Sequence, residues 1–205
     1  MFVTIDFEIA DRTLPSICDI AIITWDGWIP IDEFASHVNP GCNVEPFFNG
    51  RHGLTDDILK QAPFLNQLWI PIFDRLEHKT VFCFNPNQVF RTMMQAAEME
   101  FLNMPDFIYG SVQSICKRTW GYSDENLHEI AEKLNITKTH NNALEDARTI
   151  GKILYKASVI NGAKDPQELF RTIGFAGGNV KNGIRTPYKV QKVKNKENNR
   201  FFVVK

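Results

Sequence analysis

Asp6 and Glu8 stand two residues apart in the segment Phe2-Val3-Thr4-Ile5-Asp6-Phe7-Glu8-Ile9. β-Branched and aromatic residues dominate this segment, which predicts a strand. Side chains two apart on a strand point to one face, so the two carboxylates share a face at the strand end. Like charges placed this way repel each other, and a cation between them relieves the repulsion. Hard oxygen donors of this kind suit Mg2+ or Mn2+. A solvated strand face also accommodates such a pair, so the pair alone does not decide between the two. A third acid, Asp146, lies in the segment Ala143-Leu144-Glu145-Asp146-Ala147-Arg148, near the start of a predicted helix. It either faces a site across the domain or is a first-turn acid favoured by the helix dipole.

The elements that would hold these acids follow from the hydrophobic pattern. Residues 16–25 form a nearly continuous apolar run, which predicts a strand buried on both faces. Asp26-Gly27 is a hairpin turn signal, and residues 28–38 follow as the return strand. Helices are predicted over residues 64–76, 88–102, 111–120, 125–134 and 142–157, the last with the clearest apolar stripe. Pro71 is expected to kink or restart the first of these. Short strands are predicted at 80–84 and 107–109. Three early strands followed by alternating helices and short strands indicate an α/β domain with a mixed sheet flanked by helices.

The chain has 205 residues, 43% apolar and 23% charged, enough for one domain with a core, or for one domain plus an appendage. No apolar run approaches the ~20 residues that span a bilayer, which argues against a membrane protein. The N-terminus has no basic region before its acids, so no signal peptide is read and a cytoplasmic location is expected. The four cysteines, Cys18, Cys42, Cys83 and Cys116, form no C-x-x-C pair. Neither a zinc site nor a disulfide framework is therefore expected. The net charge of −1 conceals an asymmetry: residues 181–205 hold eight Lys or Arg and a single acid, Glu197. Residues 187–205 are predicted to be a basic hairpin turning at 196–199. It is either a contact for phosphates, with Lys189 and Lys192 as candidates, or a solvated surface hairpin.

The order of the acidic segments resembles the DnaQ-like (DEDDh) 3′–5′ exonucleases, of the type of the bacterial polymerase III proofreading subunit and ribonuclease T. Phe2–Ala10 followed by Ser16–Ile20 resembles the first motif, and His140-Asn141-Asn142-Ala143-Leu144-Glu145-Asp146 resembles the third. His37–Gly41 and His52–Asp56 resemble the segments that connect them. The resemblance covers residues 1–160, expected to be the exonuclease domain with a ribonuclease H-like fold. Residues 161–205 are then a C-terminal extension with a short helix at 166–173, a glycine-rich segment and the basic hairpin. The resemblance implies metal-assisted phosphodiester hydrolysis at the 3′ end of single-stranded DNA or RNA, with Asp6, Glu8 and Asp146 as ligands of Mg2+ or Mn2+. It also implies that Phe7, Ile9 and Ala10 lie beside the terminal nucleotide.

Two positions depart from the family pattern. Val89 stands where the second motif has its carboxylate, and Asn141 stands where the general-base histidine belongs. His140, one residue upstream, replaces that base only if the loop shifts by one residue. Valine supplies no ligand, so a single cation site of weak affinity is expected, and the chain is expected to be a catalytically impaired or silent relative that binds nucleic acid. The alternative is an active metal-dependent exonuclease that releases nucleoside monophosphates. The apolar segment Phe201–Val204 offers a third possibility for the extension, docking to a protein partner.

Overall fold

The computed structural model of the chain describes residues 1–190. Three antiparallel strands come first: β1 (Phe2–Ile9), β2 (Ile17–Asp26) and β3 (Ile29–His37). They are followed by α1 (Pro46–His52), α2 (Asp56–Leu59), α3 (Leu65–Leu76), β4 (Thr80–Cys83), α4 (Pro86–Met99) and β5 (Phe107–Ser111). Then come α5 (Val112–Trp120), α6 (Leu127–Lys133), α7 (Ala143–Ile160) and α8 (Pro166–Ile173). The short strands β6 (Phe175–Ala176), β7 (Gly178–Lys181), β8 (Ile184–Thr186) and β9 (Lys189–Val190) complete the described chain.

Seven strands form one mixed sheet in the order β3-β2-β1-β4-β5-β7-β8. β1 pairs antiparallel with β2 and parallel with β4, and β4 pairs parallel with β5. This is the mixed sheet flanked by helices that the sequence predicts. The period of two in β1 divides the core. Phe2 packs with α5, α7 and α8 on one face, and Val3 and Ile5 pack with α3 and α4 on the other. Asp6 and Glu8 continue the even-numbered row, so strand geometry sends them toward the face that α7 covers. Their neighbour Thr4 is fully buried, its hydroxyl accepting the Trp25 indole N–H at 2.9 Å.

α7 packs closely on β1 and β2. A Cβ on Gly151 would lie 2.2 Å from the Trp25 ring, so the missing side chain lets the helix approach the sheet. α3 runs through Pro71 as a single helix, so it does not restart there. The carbonyl of Pro71 is held by Arg75 Nη1 at 3.0 Å, and Ile72, Leu76 and Trp69 anchor the helix in the core.

The segment after residue 160 is built into this fold. α8 buries Leu169, Phe170 and Ile173 against the α7 side of the sheet. β7 adds to the main sheet antiparallel to β5, and β7 and β8 form a hairpin turning at Asn182-Gly183. The described hairpin thus spans 178–186 and precedes the basic one predicted at 187–205. β9 pairs with β6, joining Lys189 to Ala176. Lys192 and the predicted turn at 196–199 lie outside the described residues. Among the described residues, no helix is long and apolar enough to cross a membrane.

Candidate active site

The site forms where the C-terminal end of β1 meets the first turns of α7. Asn142 caps α7, its side chain accepting the Glu145 N–H at 2.9 Å. Asp19 on β2 fixes the same helix end. Its Oδ2 accepts the Ala143 N–H at 3.0 Å, and its Oδ1 lies 2.9 Å from His37 Nδ1. An N–H at a helix start has no partner within the helix, so this carboxylate satisfies a buried donor and sets the reach of Asp146. Arg148 adds a second tie, bridging Glu145 at 2.7 Å and Glu33 of β3 at 2.6 Å. Asp19→Ala is expected to lower stability by about 1–3 kcal/mol, the cost of leaving a buried donor unpaired. Urea unfolding of the two chains checks it; equal midpoints would remove Asp19 as the anchor.

With α7 held there, Asp6, Glu8 and Asp146 present carboxylate oxygens that all lie within 4.8 Å of one another. Glu8 and Asp146 are 7% and 6% exposed, so water does little to screen their repulsion. Burial is the main force pushing all three carboxyls above the ordinary carboxylate range, and their mutual repulsion adds to it at Asp6 and Glu8. Glu8 is pushed up to about 7. The positive charges of Arg51 and Lys138 oppose the shift.

Asp146 Oδ1 is buried, and the Lys138 ammonium lies 2.5 Å from it in an ion pair that draws the Asp146 carboxyl back down against its burial. Three clustered carboxylates, two of them buried, offer the hard oxygen donors that fit a small divalent cation. A cavity of about 280 Å3 opens over the cluster, lined by Glu8 and Asp146 together with Arg51, His128, Lys138 and Asn141.

The other residues singled out from the sequence fall as follows. Asn141 faces this cavity, whereas His140 is exposed and outside its lining. Val89, in the first turn of α4, is 7% exposed and packs in the core on the α3–α4 face. Its polar neighbour Asn85 is occupied as the cap of α4, accepting the N–H groups of Asn87 and Gln88. Ile9 lines a second cavity of about 460 Å3 beside the β1 end, with Arg12, Asn87, Gln88 and Arg91. Ala10, expected beside the terminal nucleotide, is fully buried beside Cys18, Leu54 and Leu59 and offers no surface to a ligand. Phe7 is half-buried against the α3–α4 side of the core. Lys189 is exposed on β9.

Sequence reasoning passed over Lys138, Arg51 and His128. His128 pairs with Glu132 at 3.2 Å on α6 while lining the cavity. No spacing rule ties these three to the acids. Their meeting depends on the path of the loop between α6 and α7 and on where α1 lands.

Comparison with known proteins agrees with this architecture. The family model RNase_T, described as "Exonuclease", matches residues 3–154. The chain belongs to this exonuclease family. A search of curated proteins finds no match. Among solved structures, the nuclease domain of 3′hExo, a DEDDh family member bound to rAMP, is 16% identical with a TM-score of 0.68, covering 80% of this chain and 93% of that one. Exonuclease X in complex with 5′-overhanging duplex DNA is 16% identical with a TM-score of 0.65, covering 84% of this chain and 99% of that one. Escherichia coli exonuclease I in complex with a 5cy-dA13 oligonucleotide is 12% identical with a TM-score of 0.65, covering 84% of this chain and 42% of that one. At these identities the likeness is one of fold.

Proposed function

We propose that the chain binds the 3′ end of single-stranded DNA or RNA at the β1–α7 cavity and is catalytically impaired. The observation that carries this reading is the convergent carboxylate triad beside a cavity lined by Asn141, with Val89 packed in the core. We read Asn141 and Val89, from the motif resemblance, as standing where the family has its base and its fourth carboxylate. Asp6, Glu8 and Asp146 would hold one divalent cation, Mg2+ or Mn2+. When bound, such a cation would offset the charge that builds on the scissile phosphate.

The chain's own residues account for the rest. An amide at Asn141 cannot take a proton from attacking water, and general-base catalysis contributes about 10²–10⁴ in rate. Arg51 and His128 line the cavity and Arg12 and Arg91 line the neighbouring one, so phosphates meet donors on both sides of the β1 end. Lys189 and the basic residues that follow it add long-range attraction for a polyanion.

The test is a gel assay with 3′- and 5′-labelled single-stranded DNA and RNA, in EDTA and in Mn2+, at several salt concentrations. Binding without metal, weakened steeply by salt, is the expected result, with nucleoside monophosphate release far below ordinary enzymatic turnover. Turnover of about 1 s⁻¹ or faster, within the usual range of enzymes, would replace this reading with that of an active exonuclease. Failure to bind either polymer at low salt would end both.

A further inference from the structure

Lys138 lies in the loop between α6 and α7, and its side chain is only 9% exposed. Lysine normally keeps its ammonium in water and loses considerable rotamer freedom when fixed. A lysine held this far inside needs a compensating interaction, and here it is the carboxylate cluster. Its Nζ lies 2.5 Å from the buried Asp146 Oδ1. Lys138 also lines the same cavity as Glu8 and Asp146, together with the second cation, Arg51. We infer that the Lys138 ammonium is the resident counter-cation of the Asp6–Glu8–Asp146 triad, and that a divalent cation binds there only by displacing it.

The inference rests on the proposed reading of the triad as a cation site and gives that site a specific occupant. Mg2+ and Mn2+ sit about 2.0–2.2 Å from carboxylate oxygens. A divalent cation sharing Asp146 with the ammonium would stand only a few ångströms from it, in a poorly screened pocket. Like charges at that range repel strongly, so the lysine must swing out before the triad can wrap a metal. The cost of that movement is subtracted from metal affinity. The ammonium therefore offsets part of the cluster's negative charge in the absence of metal, which suits a protein that holds nucleic acid ends without cutting them.

The experiment is Mn2+ binding to the metal-stripped full chain, read from the spectroscopic signal of free Mn2+, for the parent, Lys138→Met and Lys138→Arg. Methionine keeps an unbranched apolar stem and removes the charge; arginine keeps the charge. Lys138→Met is expected to bind Mn2+ at least tenfold more tightly than the parent, and Lys138→Arg no more tightly than the parent. In EDTA, Lys138→Met is also expected to melt at a lower temperature than the parent, and Mn2+ is expected to raise its melting temperature more. Lys138→Gln covers the case in which Lys138→Met does not fold, with the same comparison read on it. Measurable but equal Mn2+ affinity in the parent and the neutral variant overturns the inference while leaving the cation site. Absence of Mn2+ binding in every chain removes the cation site and the inference with it.

Discussion

The double variant Val89→Asp, Asn141→His is expected to hydrolyse 3′ ends at least about 100-fold faster than the parent in Mn2+, the lower bound of what a general base contributes. On the proposed reading, the two substitutions restore different parts. Asn141 already lines the cavity that holds Glu8 and Asp146, so an imidazole there has access to water beside the triad. Val89 is the harder repair. It is packed among the core residues of the α3–α4 face and is only 7% exposed. A carboxylate at that position loses apolar burial and must escape desolvation, so Val89→Asp alone is expected to cost roughly 2 kcal/mol or more in EDTA. The helix start helps: position 89 is in the first turn of α4, where the dipole favours an acid. The two gains need not multiply, because a catalytic centre acts as a unit. Single-turnover kinetics on a labelled oligonucleotide reads the effect. A double variant that folds, binds Mn2+ and is no faster than the parent would locate the fault elsewhere. The first candidate is then the Ile9 side of the β1 end, where the side chain offers no hydroxyl or amide to a terminal nucleotide. The second is Lys138, since an internal ammonium that holds off one cation also opposes a pair of them.

Much of this site could be read from the sequence because two of its acids follow a strand's period of two. Ile5, Phe7 and Ile9 alternate with Asp6 and Glu8, and that alternation alone puts both carboxylates on one face. Asp146 could not be assigned by periodicity, since a first-turn acid serves the helix dipole equally well. Its place came from the order of motifs, and the structure adds the physical reason: Asp19 holds the Ala143 N–H and so fixes the helix end. Lys138 and Arg51 were not legible, because a loop path and a helix position bring them to the site. The joining of β7 to the main sheet was hidden for a different reason. Gly177 and Gly178 belong to the glycine-rich segment, which carries no strand signal, yet they are what lets the strand lie against β5. A Cβ on Gly178 would stand 2.3 Å from the Tyr109 ring, so a residue type that weakens strand propensity is here required by close packing.

Stability in EDTA is expected to fall as pH rises from about 4.5 to about 7, the opposite of the usual behaviour of paired carboxylates. Glu8 carries the argument. Burial pushes its carboxyl from the ordinary 4.5 up to about 7, with the Asp146 charge adding to the shift and Arg51 and Lys138 opposing it. Between those pH values the folded chain keeps a proton that the unfolded chain has released. Stability therefore decreases with pH across this window, by roughly 3 kcal/mol for a shift of this size. Asp6 and Asp146 are displaced in the same direction, and the cluster releases its protons as a group rather than residue by residue. His52 works against the trend in the upper part of the window, just below its ordinary 6.5, because its burial favours the neutral ring and the unfolded chain takes up the proton first. The lower part, above pH 4.5, is therefore where the carboxylates should dominate. A divalent cation reverses the sign, since it binds the ionised carboxylates and its affinity rises as they lose their protons. Urea unfolding at a series of pH values, with and without Mn2+, reads both slopes. Glu8→Gln is expected to flatten the EDTA curve, because an amide has no proton to lose in this range. A parent and a Glu8→Gln variant with the same slope in EDTA would mean that Glu8 is ionised throughout, and that the triad's charge is already balanced by the cations around it.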